Sequence, residues 1–151
     1  MDLKKLIKEY MAKTRVMQLA TCVNNRPWVC SIHFYADDQL NIYWISAPTR
    51  RHSEDIQQNA KVAATMNIHE DTAQEPYVIG LTAEGEATVL TDKEVERIGK
   101  QYIEKLSKDR SMLEDILSGK INRKFYRLKV TKFVLFDTNI FPADPRQELK
   151  V

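Results

Sequence analysis

The chain has 151 residues, 43% hydrophobic and 29% charged, the size and composition of one ordinary globular domain. Its 23 Lys and Arg against 21 Asp and Glu leave +2, so bulk charge gives no argument for a nucleic acid or a membrane surface. No apolar run approaches the ~18 residues that span a bilayer, and the polar start Met1-Asp2-Leu3-Lys4-Lys5 does not read as a signal peptide. Two cysteines, Cys22 and Cys30, are too few for a disulfide framework and wrongly spaced for zinc, so a soluble, cytoplasmic domain with free thiols is expected.

Leu3, Leu6, Ile7, Tyr10 and Met11 recur at helical spacing, which predicts a short helix with its lysines outward. From Arg15 the period becomes two. Met17, Leu19, Thr21 and Val23 alternate with Val16, Gln18, Ala20 and Cys22, a strand largely apolar on both faces. Asn24-Asn25-Arg26-Pro27 is turn chemistry. A second strand is expected from about Trp28 to Tyr35 and a third from Leu40 to Ser46, paired as a hairpin. Ser53-Glu54-Asp55 suggests a short helix with Ser53 as cap. Lys61 to Ile68 returns to strand, and His69 to Glu75 reads as a polar loop.

Ile79 to Leu90 has the cleanest alternation, with Gly80 and Gly85 as candidates for bends or bulges. Thr91-Asp92-Lys93-Glu94 is a capping box, and Ser111-Met112-Leu113-Glu114 has the same pattern, ending near Gly119. Lys124 to Asp137 is the last long strand. The tail from Phe141 to Val151 carries two prolines and reads as irregular. Strands joined by tight turns pair antiparallel. The expected fold is therefore mainly β with flanking helices (α+β), a six-stranded antiparallel barrel in a single domain over 1–151.

Glycine-rich phosphate cradles, zinc-binding and nucleophile-elbow motifs are absent from the sequence. The strongest local signal is Ser46-Ala47-Pro48-Thr49-Arg50-Arg51-His52-Ser53, which puts two arginines and a histidine between a strand end and a helix N-terminus. Unpaired N–H groups, the helix dipole, two planar guanidinium forks and the hydroxyls of Ser46 and Thr49 suit a phosphomonoester. The alternative is a solvated ion network of Arg50 and Arg51 with Glu54 and Asp55. His33 shares a strand face with Ser31 and Tyr35 and reads first as a hydrogen-bonded structural histidine, and His69 as solvated. Trp28, Trp44, Phe133 and Phe136 read as core, and Glu84 and Glu86 as exposed strand acids.

The stretch from Met17 to about Leu90 resembles the pyridoxamine phosphate oxidase-like family of flavin-binding split barrels. The resemblance lies in Ser46 at a strand end, Arg50-Arg51-His52 in the basic loop, then Ile56, then Asn59-Ala60-Lys61-Val62 opening the next strand. It implies a homodimer holding FMN at the subunit interface. The phosphate would lie against Arg51 and His52, helped by Arg50, Thr49 and Ser46. The ring system would lie along Cys30, Ser31, Ile32, His33, Phe34 and Tyr35, with Ile45 beside it. The strand near Gly80 to Thr82, with Asn139 and Phe141, would complete the partner's cleft. The resemblance also implies an oxidoreductase acting on a small molecule, reduced by NAD(P)H or another small reductant. A non-catalytic flavin- or haem-binding protein is the alternative, and a nucleic-acid-binding barrel lacks its basic aromatic face.

This sequence departs from the true oxidases, whose basic residues fall where Cys30 and Tyr35 stand here, and whose C-terminal Arg-x-His element is missing from Phe141 to Val151. No useful pyridoxamine phosphate oxidase activity is expected. With His52 in place of the usual loop lysine, phosphate affinity is expected to weaken as pH rises, and a deazaflavin or haem becomes conceivable.

Overall fold

The alternation in the first strand becomes a sheet with one dry face. In the computed structural model, which describes residues 2–151, Met17, Leu19 and Thr21 of β1 (Val16–Val23) are buried while the intervening residues face outward. β1 follows α1 (Leu3–Lys13), whose buried Leu6, Ile7, Tyr10 and Met11 close one end of the same core. Next come β2 (Arg26–His33), β3 (Tyr35–Ala36), β4 (Ile42–Ser46), α2 (Arg51–Gln58), β5 (Lys61–Asn67) and β6 (Ile79–Val89). The chain then runs through α3 (Asp92–Leu106), α4 (Ser111–Leu117), β7 (Lys124–Asp137) and β8 (Arg146–Lys150).

Every pairing is antiparallel, in the order β2-β1-β5-β6-β7-β4-β3, with β8 added to β7. β2 and β3 stand at opposite ends of that path yet are separated in the chain only by Phe34, so the sheet must curl on itself. The expected barrel class holds, but the sheet has eight strands rather than six. The strand expected from Trp28 to Tyr35 breaks because the Phe34 side chain turns into the core and its N–H bonds to Arg15 O (3.0 Å). The tail is not irregular throughout, since β8 pairs with the second half of β7 while β4 takes the first.

β4 is buried at all five positions because it lies between two cores. Ile42 and Trp44 face the interior under α1, with Trp44 stacked on its cross-strand neighbour Tyr126 at 5.6 Å. Tyr43 and Ile45 face outward under α3 and α4, beside Phe125, Ile98, Tyr102 and Leu113. The capping box on α3 is present, with Thr91 N–H donating to Glu94 Oε2 (3.0 Å). Other expectations need correction. Arg50, not Ser53, is the N-cap of α2, and Ser53 is fully buried inside the helix. The pattern at Ser111 makes no capping box, because the cap position is Arg110. Leu40 takes a positive φ of 69° in the turn before β4. Trp44 and Phe133 are core, whereas Trp28 and Phe136 are each 41% exposed. His69 is not simply solvated, since its ring stacks on Tyr77 at 3.8 Å. Cys22 and Cys30 lie on neighbouring strands, facing Pro27 and Leu19 respectively, and are free thiols.

Of the two glycines singled out in β6, only Gly85 marks a bulge. The register slips there, so that Glu84 faces Lys132 but Gly85 faces Val130. A Cβ on Gly85 would run into the carbonyl oxygen of Lys129, and Gly85→Ala is therefore expected to destabilise the protein in denaturant titration. At the far end of the core, the fully buried Asp137 accepts the Tyr10 hydroxyl at 2.5 Å and the N–H groups of Asn139 and Ile140 at 2.9 Å each. Tyr10→Phe removes a hydrogen bond to a buried carboxylate and is expected to cost roughly 1.5–3 kcal/mol of unfolding free energy. A change within error would mean that this contact does not fasten α1.

Candidate functional site

α2 is seated by its own buried polar face. Asp55 accepts the Thr21 hydroxyl of β1 at 2.7 Å, and Asn59 ends the helix by donating to Cys22 O (2.9 Å) while accepting from Lys61 N (3.1 Å). The helix start therefore lies over the β1–β2 hairpin, directly after β4. Its first N–H groups have no acceptor one turn back, and no side chain caps them.

His52 joins three elements at this point. Its ring is buried, with Nε2 2.6 Å from Ser46 Oγ at the end of β4 and Nδ1 3.4 Å from Cys30 Sγ on β2. A neutral imidazole has one donor and one acceptor nitrogen, which suits a hydroxyl on one side and a thiol on the other. Burial pushes the imidazole pKa below its ordinary value, Arg50 adds to that, and Asp55 opposes it. Burial likewise pushes the Cys30 thiol up. Both groups are thus neutral near pH 7.

Arg51 lies outside this wedge. Its guanidinium sits 4.7 Å above the Trp28 ring, Nη2 donates to Arg26 O at 3.5 Å, and Nε is 3.7 Å from Asp55 Oδ2. The expected ion network is thus half present: Arg51 pairs with Asp55, but among the described residues Arg50 makes no ion pair and stays exposed. Thr49 is exposed in the turn. Ser46, Arg50, Arg51 and His52 therefore come together around one helix end, with Cys30 beneath.

Further along β2, Ser31, Ile32, His33 and Ile45 line one side of a cleft of about 390 Å³. Sequence reasoning missed the opposite wall, which is Tyr102, Lys108, Met112 and Arg123. Lys108 Nζ donates to His33 Nδ1 at 3.1 Å. Burial lowers the His33 pKa, and the charges of Lys108 and Arg15 lower it further. Arg15 also holds the wall in place, because its guanidinium donates to Leu106 O at the end of α3. Tyr35 does not join the cleft. It donates to Gln101 Oε1 (3.2 Å), stacks on Tyr43, and lines a separate hollow beside α1. Thr82 is exposed on β6 between Thr65 and Val134, Asn139 is exposed beyond β7, and Phe141 packs against the main core. None of the three lines the cleft.

An antiparallel sheet curled into a barrel, with a basic helix start and a cleft on one strand, defines a split-barrel protein. Residues 3–136 match the profile described as pyridoxamine 5'-phosphate oxidase, and the chain belongs to that family. No curated protein sequence matches it. Among solved structures, it is similar to a protein of unknown function from Agrobacterium tumefaciens (TM-score 0.71, 19% identity), covering 95% of this chain and 60% of that one. A haem-binding protein from Mycobacterium smegmatis superposes with a TM-score of 0.77 at 10% identity, over 97% of this chain and 57% of its own. An FAD-binding protein from Mesorhizobium loti gives 0.63 at 20% identity, over 83% and 88%. The chain thus spans about three fifths of the length of the first two. No helix among the described residues is long and apolar enough to cross a membrane.

The state of His52 leads to a pH prediction. An unfolded histidine takes up a proton near pH 6.5, whereas folded His52 does so only at lower pH. Between those values the unfolded state holds more protons, so stability falls as pH drops below about 6.5 and is flat above it. His33 contributes with the same sign. Thermal melts from pH 7.5 to 5 should show this slope, and His52→Gln should reduce it. An undiminished slope in that variant would mean that His52 is not the group held neutral.

Proposed function

We propose that this protein is an FMN-binding flavoprotein and an oxidoreductase acting on a small organic molecule. The observation that carries the reading is a donor-rich helix start at the end of β4, with a cleft one strand segment away along β2. Arg51, Ser46 and the uncapped N–H groups of α2 stand at one end, and β2 leads from Cys30 to the cleft at Ser31 and His33. Those three residues of strand cover ~10 Å, the scale of a five-carbon ribityl chain and the nearer ring of a flavin.

The donor set fits a phosphomonoester. Helix N–H groups, a hydroxyl and guanidinium forks all donate; of the two nearby carboxylates, Asp55 is turned toward Thr21 and Arg51 and Glu54 is exposed to solvent. Neutral His52 acts here as a strut that holds Ser46 and Cys30 in register rather than as a counter-charge. Phosphate affinity is then insensitive to pH above neutrality, which replaces the expectation of a histidine-driven weakening. When bound, the flavin supplies two-electron transfer, and the chain's task is to bind and orient it and to shape the substrate side. The residues present give no reason to expect pyridoxamine phosphate as substrate.

We also propose that the functional unit is a cytoplasmic homodimer with the cofactor at its interface. The exposed Trp28, under Arg51, and its neighbour Val29 support this reading. So does a concavity of about 630 Å³ lined by Ala20, Pro27, Val62 and Ala63. A second reading, haem binding without catalysis, is favoured by one observation: the His33 imidazole is exposed in the cleft and held neutral, and Nδ1 would be open to a metal once Lys108 released it.

Purified protein should be yellow or take up added FMN, and a colourless protein that fails to bind FMN overturns the proposal. A Soret band after loading would instead support the haem reading. Arg51→Ala is expected to weaken FMN binding roughly 10- to 100-fold by fluorescence titration, the loss of one charge-assisted phosphate contact. Adding His52→Ala should weaken it further through the displaced loop. Unchanged affinity in both would mean that the phosphate lies elsewhere.

A further inference from the structure

Between α3 and α4 runs a groove of about 680 Å³, walled by the two helices and the turn that joins them. Ile103 and Leu113, both buried, form its apolar base, and Leu117 at its edge is 45% exposed. The two helices are fixed against each other. A Cβ on Gly99 would collide with Leu113, so the leucine packs on bare helix backbone, which accounts for a glycine in the middle of α3. Ser107 takes a left-handed conformation (φ 52°) that ends α3, and Lys108 N–H bonds back to Ile103 O at 3.0 Å. Asp109 then accepts the Ser111 N–H at 2.9 Å where α4 starts.

The charges along this groove alternate in sign. Glu96, Lys100 and Glu104 follow at four-residue intervals along α3, Lys108 continues the order past its end, and Arg110 and Glu114 line the α4 side. Lys100 lies 3.9 Å from Glu96, a loose pair between exposed side chains. Glu104, Lys108, Arg110 and Glu114 meet no opposite charge among the described residues. Lys108 donates one hydrogen to His33 and keeps two. Turned end for end about a two-fold axis midway between Lys100 and Glu104, the α3 stripe becomes its own complement. Lys100 of one copy then meets Glu104 of the other, Glu96 meets Lys108, and the symmetry makes each pair twice. A partner of one charge sign would leave half of these side chains facing their like.

We propose that the α3–α4 face is a self-association surface, on which a second copy of this chain packs with its α3 antiparallel and covers Leu117. The leucine and the groove base supply apolar area, and the reversed charges set direction and register, as flanking charges do between paired helices. This face is separate from the one around Trp28, Val29 and the concavity on β1 and β5. With both in use the assembly is a dimer of dimers. The inference does not rest on the flavin reading.

The test is sedimentation of the whole chain over a concentration series, with circular dichroism to confirm folding. Leu117→Asp should halve the mass of the assembly. Lys100→Glu and Glu104→Lys each set like charges opposite one another and should weaken association at least about tenfold. The double variant Lys100→Glu/Glu104→Lys restores opposite signs across the axis and should recover most of that loss, which a role confined to one helix surface does not require. Lys100→Glu keeps the test decisive if Leu117→Asp folds poorly. Trp28→Asp separates the two faces. A Trp28→Asp variant that still associates, and loses that association with Leu117→Asp added, supports the proposal whether or not the first face is also an interface. A wild-type monomer overturns it, as does a Trp28→Asp variant that is monomeric. So does a Leu117→Asp mass equal to that of the wild type, or a double charge variant as dissociated as the single ones.

Discussion

The constraint on which the site depends is the buried histidine at the junction of β4, α2 and β2. His52 is a polar ring taken almost out of water, and it must find two partners or destabilise the fold. It finds Ser46 on one strand and Cys30 on another. Those contacts set where α2 begins relative to the sheet, and with it the direction in which the helix's free N–H groups point. Asp55 and Thr21 then fix the helix's rotation from the other side. The donor-rich start of α2 is thus positioned by buried neutral contacts, with Arg50 exposed beside it.

This division of labour explains the two faces of Arg51. Lying over Trp28 with Nε 3.7 Å from Asp55, it has an aromatic platform and a loose ion pair, not a close bidentate one. Asp55 is already a tight acceptor for Thr21, so it competes weakly for the guanidinium. A dianion with several acceptor oxygens offers Arg51 more than a shared carboxylate does. The ion network and the proposed phosphate site are therefore compatible, the first holding the arginine in place for the second.

Much of this architecture was legible in the sequence because it is local. The Thr91 capping box, the period-two alternation of β6 and the turn at Asn24-Asn25, both with positive φ, each need only a few neighbouring residues. The basic loop was legible for the same reason. The break at Phe34 was not, because Ser31, His33 and Tyr35 keep their alternation through it; what bends the chain is the demand of the core for Phe34 and a bond to Arg15, far away in sequence. β8 was hidden too, since Arg146–Lys150 is a polar run that earns its strand only by pairing with the free half of β7. Propensity had no means of showing either.

The same distinction applies to the cleft. Ser31, His33 and Ile45 announce themselves as neighbours of the basic loop, but Lys108 and Arg123 sit on irregular chain after α3 and before β7. Nothing in their local sequence separates them from the other surface cations. They become distinctive only when the α3 cap and the Arg15 contact bring Lys108 beside His33. The start of α2 and the cleft then differ in kind. Near α2, charge is layered over a neutral polar wedge and an acid. In the cleft, the half-buried Lys108 and the exposed Arg123 stand beside an apolar lining that contains no acid.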